Sequence, residues 1–123
     1  MADTSPADMM AKMLGFELYV VSTKPARGPG IAERLAEHLE YQIALERAGK
    51  LFGAGPLSDI GADGPESGLI ILRAKDEAEA RALADADPLH QAGVRSYTLH
   101  KWRLNEGSMT VSFRYSDQSM TLE

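Results

Sequence analysis

The residue type best suited to moving protons at neutral pH is histidine, and one histidine occupies an unexpected place in this sequence. His38 lies within residues 31–48, where apolar side chains recur every fourth position and predict an amphipathic helix. At 100° per residue, His38 and Gln42 each project within roughly 20° of Ile31, on the face that such a helix buries. Glu46, four residues after Gln42, lies on the same side of the predicted helix near its end. A polar row on an apolar face must line a cleft or meet polar partners in the core.

Asp87 is the carboxylate that we expect to serve this histidine. It follows a predicted helix directly and precedes Pro88, which keeps it out of the helical region. If the fold brings the two groups together, the carboxylate would orient the imidazole, set its tautomer and raise its basicity. Two simpler interpretations stay open: His38 could be a core histidine bonded to a backbone carbonyl, and Asp87 could merely end one helix and cap the next turn.

Gly55 and Pro56 belong to a stretch, residues 53–56, in which glycine would let the backbone approach another group closely. We predict that Gly55, Pro56 and Gln42 help to bind a substrate, although the stretch could equally be a β-bulge or a strand end. It lacks the Gly-Lys-Ser/Thr ending of a phosphate loop. His90, expected in an exposed turn, and His100, expected within a strand, lack metal-ligand spacing, so no metal site is predicted.

The remaining pattern predicts the elements that must position these residues. Strands are expected at residues 16–22, 50–57, 68–74 and 94–104, and a second helix at residues 76–85. The continuous apolar run in the third strand indicates burial on both faces. Alternating residues at 109–115 predict an additional C-terminal strand, hairpinned to the fourth. We expect residues 1–14 to be a flexible N-terminal arm and residues 15–123 to form a single domain.

This order of elements predicts an α+β fold. β-α-β-β-α-β is the ferredoxin-like arrangement, an antiparallel sheet with two helices on one face. The other face of such a sheet is apolar and needs cover, and pairing two sheets across a two-fold axis supplies it. We therefore expect a homodimer of the dimeric α+β-barrel type.

Composition excludes several classes of function. The chain has 123 residues, of which 44% are hydrophobic and 25% charged, as in an ordinary globular protein. It has no cysteine, so disulfides and thiolate chemistry are absent. The net charge of −5, with scattered basic residues, offers no footprint for nucleic acid. We see neither a membrane-length apolar run nor a signal peptide, and we expect a cytoplasmic protein without a membrane partner.

Several short fragments also occur in an order that is moderately specific as a set. They are His38-Leu39-Glu40-Tyr41, Ala48-Gly49-Lys50-Leu51, Ala54-Gly55-Pro56-Leu57, Asp87-Pro88, Ala92-Gly93-Val94 and Trp102. In this order they resemble the YCII-related (YciI-like) family over roughly residues 16–103. The resemblance implies a ferredoxin-like dimer with a His-Asp dyad in a cleft, and by motif the dyad is His38 and Asp87.

The resemblance implies small-molecule acid–base chemistry rather than a particular reaction. Relatives isomerise muconolactones or eliminate chloride from chlorinated hydroquinones. The first hypothesis is thus a lyase or isomerase that needs no cofactor, with His38 as general acid or base. The alternative is a non-catalytic protein that binds a small ligand or acts as an accessory factor in the same cleft. A third and weaker one is a cofactor-free monooxygenase of related fold, because fold alone does not fix function.

Overall fold

We analysed a computed structural model of the chain, which describes residues 5–25 and 30–123. The described part divides into two compact units. One is Glu17–Arg103, and the other combines residues 5–16 with residues 104–123.

The unit Glu17–Arg103 contains the predicted β-α-β-β-α-β order. Its strands are β1 (Phe16–Pro25), β2 (Leu51–Leu57), β3 (Ser67–Leu72) and β4 (Arg95–Leu104), of which β1 begins one residue before the unit and β4 ends one residue after it. Its helices are α2 (Ile31–Arg47), α3 (Glu77–Asp85) and the short α4 (Pro88–Gln91). The strands form one sheet in the order β2-β3-β1-β4. β3 runs antiparallel to both β1 and β2. This is the ferredoxin-like α+β fold that the sequence predicts.

Both long helices pack on one face of this sheet. Along β1 and β3, alternate residues point to that face, because side chains in a strand alternate between its two sides. The core there joins sheet residues to helix residues, namely Tyr19, Val21, Ile70 and Leu72 with Leu45 of α2 and Ala80 and Ala84 of α3. The predicted burial of the third strand on both faces is confirmed, since Ile70, Ile71 and Leu72 are all buried.

A register shift interrupts the pairing of β2 with β3. Leu51 pairs with Leu72, but Gly53 already pairs with Ile71, so Phe52 is the extra residue. Such a bulge bends the strand and changes where its next side chains point. Beyond it, Ala54 and Pro56 share the side of Ile70, the side that the helices cover.

The other unit contains α1 (Pro6–Ala11), β5 (Val111–Phe113) and β6 (Met120–Leu122). Extra C-terminal strands are therefore present, as expected. The predicted hairpin with the fourth strand is wrong: β5 pairs with β6, with Val111 opposite Leu122 and Phe113 opposite Met120. A short helix lies within the predicted N-terminal arm, with the Ser5 side chain capping it by accepting from the Asp8 N–H. The flexibility of residues 1–14 stays a prediction, and its first four residues lie outside the described part.

Candidate functional site

His38 and Asp87 lie in direct contact in the folded chain. His38 Nδ1 is 2.8 Å from Oδ2 of Asp87 and 3.0 Å from Oδ1. α2 supplies the histidine, and the first residue before α4 supplies the aspartate. The His38 side chain keeps 19% of its surface exposed, whereas that of Asp87 keeps 2%. The imidazole can thus meet a solvent-borne molecule while the carboxylate behind it cannot.

Asp87 accepts two further hydrogen bonds. Gln42 Nε2 donates to Oδ2 at 2.9 Å, and the Leu89 backbone N–H donates to Oδ1 at 2.9 Å. The second bond is the cap of α4, and Pro88 in the first turn of that helix suits its fixed backbone angle. The Asp-Pro pair therefore does cap the following turn, and the same carboxylate also holds His38.

The pKa of Asp87 is lowered from its ordinary value of 3.8. Burial by itself works in the opposite direction and is the largest influence. Hydrogen bonds from His38, Leu89 and Gln42, together with the charge of His38, outweigh it. Asp87 is consequently ionised at neutral pH, and an ionised carboxylate only accepts hydrogen bonds.

This ionised partner determines the tautomer of the neutral imidazole. Nδ1 must carry the hydrogen that it shares with Asp87, so Nε2 bears the lone pair. Nε2 is then free to take a proton from a molecule beside it, and Asp87 would stabilise the imidazolium that results. The arrangement can support general acid–base chemistry.

A cavity of about 800 Å³ opens beside this pair, between α2 and the strands β2 and β3. That volume falls within the range of small-molecule sites. Its wall is mostly apolar and includes Ile31, Leu35, Leu39 and Ile43, the stripe that the sequence predicts along the first long helix. Three of these four, Leu35, Leu39 and Ile43, remain 43–49% exposed, because they face the cavity rather than the core.

The predicted binding residues Gln42, Gly55 and Pro56 all line this cavity, together with Glu46. Gln42 is 8% exposed, and its Oε1 has no hydrogen-bond partner within the described residues. Its amide is oriented by donation to Asp87, so the oxygen is directed away from the carboxylate. A role for these three residues in binding stays a prediction.

His90 differs from its expected place. It lies half-buried in α4 and lines the cavity rather than an exposed turn. Its Nδ1 is 2.7 Å from the Ala84 carbonyl, which requires a hydrogen on Nδ1, and Nε2 is 3.0 Å from the Thr23 hydroxyl. Both ring nitrogens are engaged, so this imidazole holds elements together. His100 lies within β4, as expected, and is exposed.

The sequence did not reveal two other parts of the site. α4 itself is one, because four residues are too few for a helical periodicity to show. The second is Arg95, the first residue of β4, which lines the same cavity although nothing in its local pattern distinguishes it. Within the described residues, no group of three or more His, Cys, Asp or Glu side chains is placed to hold a metal ion.

These observations define a ferredoxin-like domain in which a histidine and a buried aspartate lie beside a cavity. The model of the YCII-related domain family matches residues 18–103, well over half of the chain. The chain belongs to the YCII-related family. A search of curated proteins finds no match.

Solved structures of similar fold come from several bacteria. One is the 5-chloro-2-hydroxyhydroquinone dehydrochlorinase TftG of Burkholderia phenoliruptrix AC1100, in complex with 2,5-dihydroxybenzoquinone. It is 23% identical, with a TM-score of 0.58, over 70% of this chain and 93% of that chain. Two others are dimeric ferredoxin-like proteins of unknown function. That of Thermobifida fusca YX is 15% identical (TM-score 0.42, 75% and 94% covered), and that of Jannaschia sp. CCS1 is 21% identical (TM-score 0.44, 72% and 100% covered).

Proposed function

We propose that this protein is a lyase or isomerase that acts on a small molecule without a cofactor. His38 is its general acid or base, and Asp87 is the positioning residue behind it. One observation carries the proposal: His38 Nδ1 lies 2.8 Å from a buried, ionised carboxylate, and the ring borders a cavity of small-molecule size. A histidine held in this way has one ring nitrogen committed and one ready to exchange a proton.

The proposed chemistry follows from this division of the ring. Nε2 takes a proton from the bound molecule, and the ring becomes an imidazolium that hydrogen-bonds to Asp87 through Nδ1. In an isomerisation the imidazolium returns the proton to a different atom of the same molecule. In an elimination the electron pair left behind expels a leaving group, and the proton later passes to solvent.

The cavity wall indicates the kind of molecule. Leu35, Leu39 and Ile43 form an apolar surface that suits a flat, cyclic or aromatic compound. The Burkholderia structure of similar fold is named a dehydrochlorinase and contains 2,5-dihydroxybenzoquinone. We therefore propose a quinone, hydroquinone or other carbonyl-bearing ring as the substrate class.

A binding protein without chemistry is the second candidate. The observation that favours it is that Asp87 also joins α2 to α4, through Gln42 and the Leu89 N–H. In a binding protein the His38–Asp87 contact would serve to hold these two helices, and the cavity would only retain its ligand.

Substitution of His38 separates the two candidates. Chlorinated hydroquinones and unsaturated lactones would be incubated with the protein, and consumption and product formation followed by chromatography with mass detection. We expect His38→Gln to lower turnover about 100- to 10,000-fold. Arg34→Gln, at an exposed position of α2 outside the cavity wall, is the control and should keep wild-type turnover. A folded His38→Gln variant that turns over a wild-type substrate at the normal rate would refute the catalytic proposal.

Three further proposals accompany this one. We propose that the chain forms a homodimer, that residues 1–14 act as a flexible arm beside a single domain, and that the protein works in the cytoplasm. The proposed dimer rests on two exposed aromatic residues of the sheet, Phe52 and Trp102, and the other two proposals rest on the sequence alone. No helix within the described residues is long and apolar enough to cross a membrane.

A further inference from the structure

Arg95 differs from every other residue of the cavity wall. It is the one arginine or lysine among the described residues that line the cavity. The acidic side chains of that wall, within the described residues, are Asp87 and Glu46. Asp87 is committed to three donors, and no carboxylate of the described chain forms an ion pair with Arg95. The guanidinium therefore borders the cavity without an ion-pair partner among the described residues.

The hydrogen bonding of Arg95 is incomplete in the same way. Its Nη1 is buried and has no acceptor among the described residues. A guanidinium remains charged at every accessible pH, so it cannot relieve this cost by losing a proton. A buried charged donor without an acceptor costs free energy, so such a group in a folded protein calls for a partner from outside the described chain. The described chain therefore supplies no oxygen acceptor for Nη1 of Arg95.

A short segment connects Arg95 to the proposed acid–base pair. Asp87 caps α4 by accepting from the Leu89 N–H, and the Leu89 carbonyl in turn accepts from the Val94 N–H at 3.1 Å. Arg95 follows immediately as the first residue of β4. The tight α4 turn therefore positions both the carboxylate behind His38 and the guanidinium, which border the same cavity.

From these observations we infer that Arg95 binds an oxyanion of the substrate while His38 exchanges a proton with the same molecule. The planar fork of a guanidinium matches a carboxylate, or two adjacent oxygens of an ionised hydroxyquinone, in a two-point contact. The substrate class is then an acidic ring compound, and Arg95 is a specificity-determining residue. This inference rests on the proposed function and names the charge that its substrate carries.

Two probes of matched shape test the inference. 2,5-Dihydroxybenzoquinone is an anion at neutral pH, and its dimethyl ether, 2,5-dimethoxybenzoquinone, is neutral. Binding would be measured by titration calorimetry for the wild type, Arg95→Gln and the control Arg34→Gln, which alters an exposed arginine of α2. We expect Arg95→Gln to weaken binding of the anionic probe about 10- to 100-fold. Arg95→Gln should bind the neutral probe within about twofold of the wild type. The control Arg34→Gln should bind both probes within about twofold of the wild type.

The outcomes distinguish this inference from the proposed function. His38→Gln should still bind the anionic probe. Loss of turnover in His38→Gln and loss of binding in Arg95→Gln are therefore separate results. The inference is wrong if the wild type does not bind the anionic probe at millimolar concentration. It is also wrong if a folded Arg95→Gln variant binds that probe within twofold of the wild type. Should Arg95→Gln fail to fold, Arg95→Lys replaces it, and an unchanged affinity there is again contradictory.

Discussion

At the scale of single residues, Asp87 does most to organise the site. Asp87 as a whole residue is 1% exposed, and a carboxylate buried so deeply would ordinarily become neutral, because burial disfavours charge. Here the donors His38, Gln42 and Leu89 compensate that cost, and the pKa of Asp87 lies below its ordinary value. The resulting anion is what makes the His38 ring asymmetric, with one nitrogen protonated and the other available.

This lowered pKa predicts how stability depends on pH. A group whose pKa is depressed in the folded state contributes stability above its unfolded pKa, here near the ordinary value of 3.8. The contribution is lost as the pH falls through the folded value. We expect wild-type protein to be more stable than Asp87→Asn at neutral pH, and the difference in unfolding free energy to shrink below about pH 4.

Urea denaturation at a series of pH values from neutral to acid measures that difference. Comparing the two proteins at each pH is the control, because acidification changes the charge of all their other titratable groups equally. A difference that stays constant, or that grows on acidification, would show that the Asp87 carboxylate is not stabilised by its neighbours.

The sequence revealed part of the site at this scale. His38 could be singled out because a helical period placed a titratable side chain on an apolar face, and Asp87 because of the proline after it. Arg95 and the Leu89 N–H could not be singled out in this way. Neither a backbone donor nor the missing acceptor of a guanidinium can be recognised from the sequence. The contact between His38 and Asp87 needed the fold, because nothing in their spacing demands it.

At the scale of elements, α2 and α3 are tied together near the site. Tyr41 of α2 donates its hydroxyl to the Leu83 carbonyl of α3 at 2.6 Å. Burial, and secondarily the charge of Asp87, raise the pKa of Tyr41, so the phenol remains a donor at neutral pH. The bond helps to hold α2, and therefore His38, against the rest of the helical layer.

Removal of this hydroxyl should weaken the fold. We expect Tyr41→Phe to lower the free energy of unfolding by about 1 kcal/mol, because the Leu83 carbonyl loses its side-chain donor in a partly buried place. Denaturant unfolding followed by circular dichroism measures the change. Tyr115→Phe, which removes a hydroxyl from a side chain that is 98% exposed, should stay within about 0.5 kcal/mol of the wild type. Equal stability of all three proteins would contradict the assigned role.

Element boundaries were predicted well where a period was long enough to read. The helix expected at residues 31–48 is found at Ile31–Arg47, because its apolar period repeats over more than ten residues. The pairing of the C-terminal strand was predicted wrongly, because alternation shows that a segment is a strand but not which strand lies beside it. A β-bulge was one of the interpretations left open for residues 53–56, and the structure places the register shift beside that stretch, at Phe52.

At the scale of the whole molecule, exposed aromatic residues support the proposed dimer. Phe52 and Trp102 meet edge to face with ring centroids 6.4 Å apart, and they remain 37% and 38% exposed. Alternation along β2 and β4 places them on the sheet face opposite the helices, since Leu51 and Leu99 pack into the helical core. Large aromatic rings on a sheet face are suited to pairing with a second sheet.

Light scattering after size-exclusion chromatography tests this proposal. We expect a mass near twice the 13.4 kDa of the chain, and a shift toward the single-chain mass in Trp102→Asp, because burying an unpaired charge between two sheets is unfavourable. Ile60→Asp, at a fully exposed loop position, is the matched control and should remain dimeric. A single-chain mass for the wild type at micromolar concentration would refute the homodimer.

The proposed function depends on Asp87 holding His38 with Nδ1 protonated and leaving Nε2 to a molecule in the cavity. Long-range ¹H–¹⁵N correlation spectra of the histidine ring, recorded in alkaline buffer with and without 2,5-dihydroxybenzoquinone, measure this directly. We expect the Nδ1–H tautomer for the neutral ring of His38, and a shift of its Nε2 signal when the quinone binds. A neutral His38 that carries its hydrogen on Nε2, or an Nε2 signal that bound quinone leaves unmoved, would contradict the proposed function.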